Sequence, residues 1–425
     1  MNFLDLKNRG MKFKTDSRKI EKNDVFLALN GENTDGNLFI DDAFKKGASF
    51  AFSEKEDLSG GNIIYTENIQ NKLLEETSDL IKTNSKMNIA VTGSNGKTTT
   101  KEILFSLLSP YIKTFRTEGN MNTETGIPLC ILNDYSGEET CIFEMGLRKK
   151  GDLEFLTKFY KPDVAFITSV GSSHMEFLGT RKNIADEKMK ITLNMDKGLL
   201  IMDGDETLLT PPKNLNVLKF GKNKSNDGYL EDYEYINFKT KVYYKIFGKS
   251  VLLTLNDYWS EGQLKDLLAC LIFAVFIQIP LDPYAISDIN IPAGRFKIYK
   301  KKNNHIIDDS YNASYESFIN AFSSVRKMDY TNKVLIMGEM FELGDSSENY
   351  HNRVFEEAFN TFDKVYFYNI SGLKTPDNVK LINFNSVDTI KDIILKEKGL
   401  IYIKGSNGTG IYSYLKNSDI LSDEN

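Results

Sequence analysis

The sequence predicts an α/β protein built around parallel sheets, on three observations. Apolar runs of strand length alternate with helix-like segments from residue 87 onward. The alternation occurs twice, over 88–202 and over 304–404, and "IPLDPYAISDINIPAGRF", with three prolines and a glycine, lies between the two. A Gly-rich turn stands where the first strand gives way to a helix, in "NIAVTGSNGKTTTKEILFSLL" (88–108). Such alternation is the pattern of a mostly parallel sheet covered by helices on both faces.

Each part follows in order. Residues 1 to about 85 carry short apolar pieces, "DVFLAL" and "GASFAFS", between Asn, Gly and Asp, and predict a small α/β module. Strands are expected at 88–92, 140–145, 164–170 and 198–202, and the helix after the first has Ile103, Leu104, Leu107 and Leu108 on one face. Polar, Gly-containing sequence over 203–250 reads as irregular loops and short strands. A buried helix follows at about 261–278; its apolar run, Leu267 to Ile277, is too short to span a bilayer. Strands at 304–309, 333–338, 364–368 and 399–404 predict a separate nucleotide-fold-like C-terminal domain. A chain of 425 residues is long for one core, and the expected division is 1–85, 86–292 and 293–425.

Net charge is −6 with both signs mixed along the chain, which argues against general nucleic-acid binding but not against a local anion site. Cysteines 130, 141 and 270 lack disulfide or metal-ligand spacing, and "MNFLDLKNRGMKFKTDSRK" lacks the apolar core of a secretory signal. The expectation is a soluble cytoplasmic protein.

A helix start offers unpaired N–H groups and the positive end of the helix dipole. In "TGSNGKTTT", Gly93 and Gly96 let the backbone, with Ser94 and Asn95, wrap an anion. Lys97 can reach terminal phosphates, Thr98 can place a hydroxyl on Mg²⁺, and Thr99 extends the turn. Val91 stands where the general phosphate-loop pattern has a first glycine, so the match is to a shorter G-x-x-G-K-T form. The bland alternative is an ordinary strand-to-helix loop. Glu144 ends an apolar run in "CIFEMG", as a Mg²⁺ ligand or a solvent-facing acid. His174 follows another run in "GSSHMEFLG"; a lone histidine is more often structural, but this position is where α/β folds gather ligands. Asp308 and Asp309 suit ribose or phosphate contacts, or a helix cap. Arg295 suits bidentate phosphate contact, with a surface arginine as the default.

Taken together, "TGSNGKTTTKE", "TEGNMNTETGIP", "FEMG", "GSSHMEFLGT", "PAGR", "DDSYNAS" and "GEMFELG", in this order, resemble the Mur ligase family. "DSR" at 16–18 with "FLALNGENTDGNLFIDDAFKKGAS" at 26–49 resembles the family's N-terminal uridine-nucleotide domain, so the likeness covers nearly the whole chain. "DDSYNA" and "GEMFELG" favour the type that adds D-alanyl-D-alanine.

The resemblance implies three domains, with a central parallel-sheet P-loop ATPase domain and a Rossmann-like C-terminal domain. It implies ATP-dependent joining of D-Ala-D-Ala to UDP-N-acetylmuramoyl-tripeptide through an acyl phosphate, by a cytoplasmic enzyme making peptidoglycan precursor; a monomer is the separate expectation. Two Mg²⁺ ions are implied, with Thr98 and Glu144 on the first, and His174 and a carbamylated Lys188 on the second. Lys97 would contact the β- and γ-phosphates, Arg295 and Asp309 the ATP, and Tyr311 and Asn312 the dipeptide. Asn120 and Asn122 would lie near the γ-phosphate and acceptor carboxylate, and Ser17 and Arg18 in the uridine-nucleotide module. Lys404 resembles a family lysine of less defined role.

Several positions depart from the pattern. Met189-Lys190 replaces Gly-Glu after Lys188, which makes Lys190 a competing lysine, and Thr123 replaces the second of two asparagines. "GLRKKGDL" after Glu144 is more basic than the usual family segment. Gln263 and Asp266 stand where asparagines usually face adenine. Two alternatives stay open: a sister ligase adding a single amino acid, and a nucleotide-binding regulatory protein that has lost ligase chemistry. "DSR…FLALNGE" disfavours a folylpolyglutamate synthase, and no D-N-P-R stretch of the earlier diamino-acid ligase occurs.

Overall fold

Three sheets organise the chain. The computed structural model describes residues 1–31, 34–58, 60–173, 175–301 and 304–421. The first sheet is parallel, in the order β1 (Phe13–Lys14), β2 (Val25–Leu27), β3 (Phe50–Ser53), β4 (Ile63–Tyr65). It rests on the middle of the protein through Asn133, whose side-chain amide exchanges two hydrogen bonds with the backbone of Phe13 (2.7 and 3.1 Å).

The second sheet has nine strands: β5 (Met87–Thr92), β6 (Thr114–Arg116), β7 (Thr140–Glu144), β8 (Val164–Ile167), β9 (Leu199–Asp203), β10 (Asn216–Gly221), β11 (Gly228–Ile236), β12 (Lys239–Ile246) and β13 (Lys249–Asn256). Their order is β13-β12-β11-β10-β9-β8-β5-β7-β6, parallel from β6 as far as β11 and antiparallel beyond. Both faces of the parallel part are covered. Ile89 and Val91 face the helices Lys97–Leu108 and Glu261–Phe276, while Ala90 faces the opposite core with Phe143 and Ile167. Burial on both faces makes these strands continuous apolar runs, and the four expected strands lie where the runs do. Ile103, Leu104, Leu107 and Leu108 are all buried against the second helix, as their spacing requires.

Irregular loops and short strands were expected over 203–250; residues 204–215 hold no helix or strand, but the strands that follow are longer than expected. They are β10, β11 and β12, and β11 to β13 build long antiparallel hairpins. One face of β12 is buried and the other half-exposed, so charged residues alternate through "KTKVYYKI" and dilute the apolar signal. The first hairpin turns at Asn237 and Phe238, both with positive φ (49° and 61°), without the Asn-Gly pair that would announce it.

The third sheet is Rossmann-like: β14 (Lys297–Lys300), β15 (Asn304–Asp308), β16 (Lys333–Gly338), β17 (Lys364–Tyr368), β18 (Leu381–Phe384) and β19 (Gly399–Lys404), ordered β14-β15-β19-β16-β17-β18. Only β14 runs antiparallel to its neighbour. Leu335 and Met337 face one core, Val334 and Ile336 the other. β14 and β18, short and half-exposed edge strands, were not expected. Among the described residues no helix is long and apolar enough to cross a membrane. The carboxyl ends of β5, β7, β8 and β9 meet those of β15 and β19 across a cleft, where ligands gather in such sheets.

Candidate active site

The phosphate loop leaves β5 and enters the helix Lys97–Leu108 through Gly96, which adopts the left-handed conformation (φ 85°) and provides no side-chain cap. The first-turn amides are therefore not capped by the side chain in front of them. Bulk is excluded at both glycines. A Cβ on Gly93 would run into the Thr168 hydroxyl, and one on Gly96 into the Asp266 carboxylate. The loop after β8 is laced to this turn: Asn95 N donates to Ser169 Oγ (2.9 Å), and Gly171 N to Ser94 Oγ (2.8 Å). Half-buried Lys97 donates from Nζ to the carbonyl of Gly93 (2.8 Å). Burial lowers its pKa most, Glu144 opposes that, and Arg295 adds to the lowering. Thr99 is buried in the first helical turn and lines the cleft.

Glu144, 2% exposed at the end of β7, is the hub of the acidic side. Its Oε2 accepts from Thr98 Oγ1 (2.7 Å) and its Oε1 from Asn122 Nδ2 (2.9 Å). It is not a solvent-facing acid. Lys101, fully buried one helical turn beyond Lys97, brings Nζ to 3.7 Å from Glu144 Oε2 and donates to the carbonyl of Gly119 (2.8 Å). Sequence reasoning missed Lys101; the i+4 spacing from Lys97 in "GKTTTK" was the available signal. Asn120 is exposed and lines the cleft. Thr123 accepts the N–H of Gly126 (3.1 Å) at the start of a helix.

The C-terminal domain supplies the opposite wall. Arg295 is no surface arginine: its guanidinium lies 4.2 Å above the Tyr311 ring and donates to Thr98 Oγ1 (3.0 Å). Asp309 Oδ2 accepts from Lys404 Nζ and from the Tyr402 hydroxyl, both at 2.7 Å, and Lys404 also donates to the Asn312 carbonyl (3.0 Å). Asp308 accepts from Ser310 instead (N–H 3.1 Å, hydroxyl 2.5 Å), and burial raises its pKa. Neither aspartate caps the next helix, Tyr315–Arg326; Ser314 does, with Ser317 reciprocating. The cleft has a volume near 450 Å³, and a smaller cavity of about 190 Å³ shares Ser94, Lys97 and Asn312 with it and reaches Phe341 and Leu343.

Gln263 and Asp266 are both buried and both line the cleft. The Gln263 amide accepts from Ser260 N (2.8 Å) and donates to the carbonyl of Arg295 (2.7 Å). Asp266 lies against Gly96, and burial, its largest influence, pushes its pKa well above the usual carboxylate range.

Lys188, Lys190, Ser17 and Arg18 are not among the residues that line the cleft. Lys188 is buried in the helix Arg181–Met189 without a hydrogen-bond or ion-pair partner among the described residues; burial first, then the charge of Lys97, holds its pKa well below the usual lysine value. Lys190 turns to Glu187 (2.8 Å) and Glu154 (4.0 Å). Ser17 donates to Asp42 (2.8 Å) and Arg18 pairs with Asp16 (2.9 Å) in the N-terminal module, outside the cleft lining. His174 lies outside the described residues. Among the described residues, no three His, Cys, Asp or Glu side chains cluster as a metal site.

Three stretches match Mur ligase domains: the family's catalytic-domain description at 13–91, its middle domain at 91–264, and its glutamate ligase domain at 294–395. The UDP-N-acetylmuramoyl-tripeptide–D-alanyl-D-alanine ligase of Bacillus subtilis is 30% identical over 79% of this chain and 75% of its own length. The enzyme of that name from Rickettsia prowazekii is 29% identical over 92% and 91%. The crystal structure of a MurF ligase from Thermotoga maritima in complex with ADP superposes with a TM-score of 0.88 at 33% identity, covering 97% of each chain. With all three domains in order and the cleft residues assembled between them, the chain belongs to the Mur ligase family, among its D-alanyl-D-alanine-adding ligases.

Proposed function

We propose that this chain is an ATP-dependent, ADP-forming ligase that joins D-Ala-D-Ala to UDP-N-acetylmuramoyl-tripeptide in peptidoglycan precursor synthesis. One observation carries the reading: Arg295 reaches from the C-terminal domain to Thr98 on the phosphate-loop helix, beside Lys97 and Glu144. A site with cations on both walls suits a step in which charge shifts between phosphoryl oxygens.

In the first step the tripeptide carboxylate attacks the γ-phosphorus of ATP, and the bond to ADP breaks to leave an acyl phosphate. In the second, the amine of D-Ala-D-Ala attacks the acyl carbon, loses a proton and expels phosphate. Lys97 and Arg295 would hold the phosphates, and Asp309, with Lys404, the nucleotide. Asn120 and Asn122 would orient the acceptor carboxylate. Tyr311 and Asn312, both on the cleft and Asn312 also on the smaller cavity, would face the dipeptide. Ser17 and Arg18 would serve the uridine nucleotide, and 1–85, 86–292 and 293–425 would be the respective domains.

The donor set fits Mg²⁺: Thr98 and Glu144 present hard oxygens to the phosphate loop. Lys188 fits a carbamate. Burial lowers the Lys188 pKa and so favours the neutral amine, the form that captures CO₂, and the resulting carboxylate would suit a hard cation better than an ammonium does. His174 and Lys188 would hold the second ion. When bound, the ions would neutralise charge on the phosphoryl oxygens.

The altered lysine and adenine segments are what keep a regulator without chemistry open; of these, Lys190 pairs with Glu187 and does not favour that alternative. A cytoplasmic, monomeric enzyme belongs to the same proposal; buried, unpaired Cys130, Cys141 and Cys270 agree with a reducing compartment. The test is phosphate release from ATP and Mg²⁺ with both substrates, and the product mass. Release that needs both, with a gain of one dipeptide less water, is expected. Release without dipeptide incorporation would overturn the reading.

A further inference from the structure

The loop after β8 is held from two sides. Within the central domain, Gly171 N donates to Ser94 Oγ (2.8 Å) and Ser94 N to the Ser169 carbonyl (3.0 Å). From the C-terminal domain, Glu316 Oε2 accepts from both the amide and the hydroxyl of Ser172 (2.9 and 3.0 Å). Ser172 is 0% exposed, and a Cβ on Gly171 would stand 2.6 Å from Glu316 Oε2. Further along, Glu176 N donates to the Glu342 carbonyl (3.1 Å).

Glu316 lies in the first turn of the helix Tyr315–Arg326, where a carboxylate ordinarily favours its own helix dipole. Here it reaches into another domain. The cap of the same helix, Ser314, exchanges hydrogen bonds with the side-chain amide of Asn95 in the phosphate loop (3.0 and 3.2 Å). One helix start therefore touches the phosphate loop through Ser314 and the β8 loop through Glu316, and Ser94 ties those two loops together.

We propose that Glu316 is a positioning residue that couples docking of the C-terminal domain to the shape of the β8 and phosphate loops. Ser172 offers a buried N–H that needs a partner. With the C-terminal domain docked, Glu316 supplies it. Without that contact the loop relaxes, and Ser94 and Asn95 lose their registration against it. The loops are complete only while the domain that brings Arg295 is in place.

The test uses the full chain with Glu316→Ala, Glu316→Gln and Ser172→Ala, and its kinetic arm rests on the ligase reading. By hydrogen–deuterium exchange, Glu316→Ala should speed exchange over 169–173 by about tenfold, because the protecting acceptor is gone. Glu316→Gln should stay near wild type, since an amide oxygen can accept both bonds. Ser172→Ala, which loses only the hydroxyl, should fall between. In turnover, Glu316→Ala should lower kcat by about tenfold with a smaller change in the KM for ATP, and Glu316→Gln should restore most of it. Unchanged exchange in Glu316→Ala, or in Ser172→Ala should that variant alone fold, overturns the proposal. So does a Glu316→Gln enzyme as slow as Glu316→Ala, which would make the charge itself a substrate contact. Absence of turnover in the wild type would count against the ligase reading, and the exchange measurement would still decide the role of Glu316.

Discussion

Arg295 and Thr98 stand 197 residues apart in the chain and meet at 3.0 Å across the cleft. The arginine is aimed by its stack on Tyr311, and the threonine by Glu144, so the contact joins two preset side chains. Arg295→Ala should lower kcat by about 100-fold with stability nearly unchanged, as expected for loss of an electrostatic contact made in the transition state. Arg295→Lys should recover little, because an ammonium cannot stack and donate in a plane together. Single-turnover phosphate release checks both; full activity in the lysine variant would contradict the geometry.

That meeting could not be read locally. The phosphate loop was legible because its glycines and lysine sit in a short stretch between a strand and a helix. The parallel strands were legible because burial on both faces leaves no polar alternation. β11 to β13 were not, since a half-exposed sheet puts outward-facing residues, charged ones in β11 and β12, between the core residues. Arg295 could be argued only as a type suited to phosphate; its partner lies in another domain. Lys101 was overlooked because a lysine in a helix is ordinarily a solvated one.

Lys101 is the opposite, with its Nζ enclosed by the Gly119 carbonyl, Glu102 and Glu144. Lys101→Met should leave Glu144 with less compensation in a buried site. Loss of one partner of a buried pair costs about 3–5 kcal/mol. Urea unfolding at neutral pH measures it, and a change below about 1 kcal/mol would mean that Thr98 and Asn122 suffice for the carboxylate.

The bonding of Gln263 bears on the base of the nucleotide. The Gln263 oxygen accepts from Ser260 N and Oγ and one of its N–H groups donates to the Arg295 carbonyl, so it cannot present a donor and an acceptor together to a purine edge. The kcat/KM values for ATP and GTP should differ by about tenfold or less, the scale of a site without a dedicated hydrogen-bond reader. A preference near 10⁴ would require a reader elsewhere in the cleft.

His351 ties the loop after β16 to the helix Ser347–Phe359: Met340 N donates to Nε2 (2.9 Å), and Nδ1 bonds the Ser347 carbonyl (2.8 Å). This pattern needs the neutral ring with its proton on Nδ1. Burial, the largest influence, lowers its pKa from 6.5 in the fold. The unfolded chain therefore takes the proton first. The stability contributed by the neutral ring is full above pH 6.5 and is lost as pH falls through the folded value. His351→Gln, which keeps a donor and an acceptor, should show a flatter acid limb in urea unfolding. Parallel limbs for the two proteins would remove His351 from the acid response.

Lys188 and Lys190 together test the proposed carbamate. Lys188 is buried and unpaired among the described residues, whereas Lys190 already has Glu187. Lys188→Ala should abolish turnover while nucleotide affinity, measured by calorimetry, changes little. Short-chain carboxylates should restore part of the rate by placing an oxygen ligand in the emptied space, as a carbamate would. Short-chain amines should not. Lys190→Ala should stay within about twofold of wild type, since it breaks a partly exposed pair. Rescue by amines rather than carboxylates would mean that the group acting at position 188 is an ammonium. Lys188 would then act through its own amino group rather than as a site for CO₂.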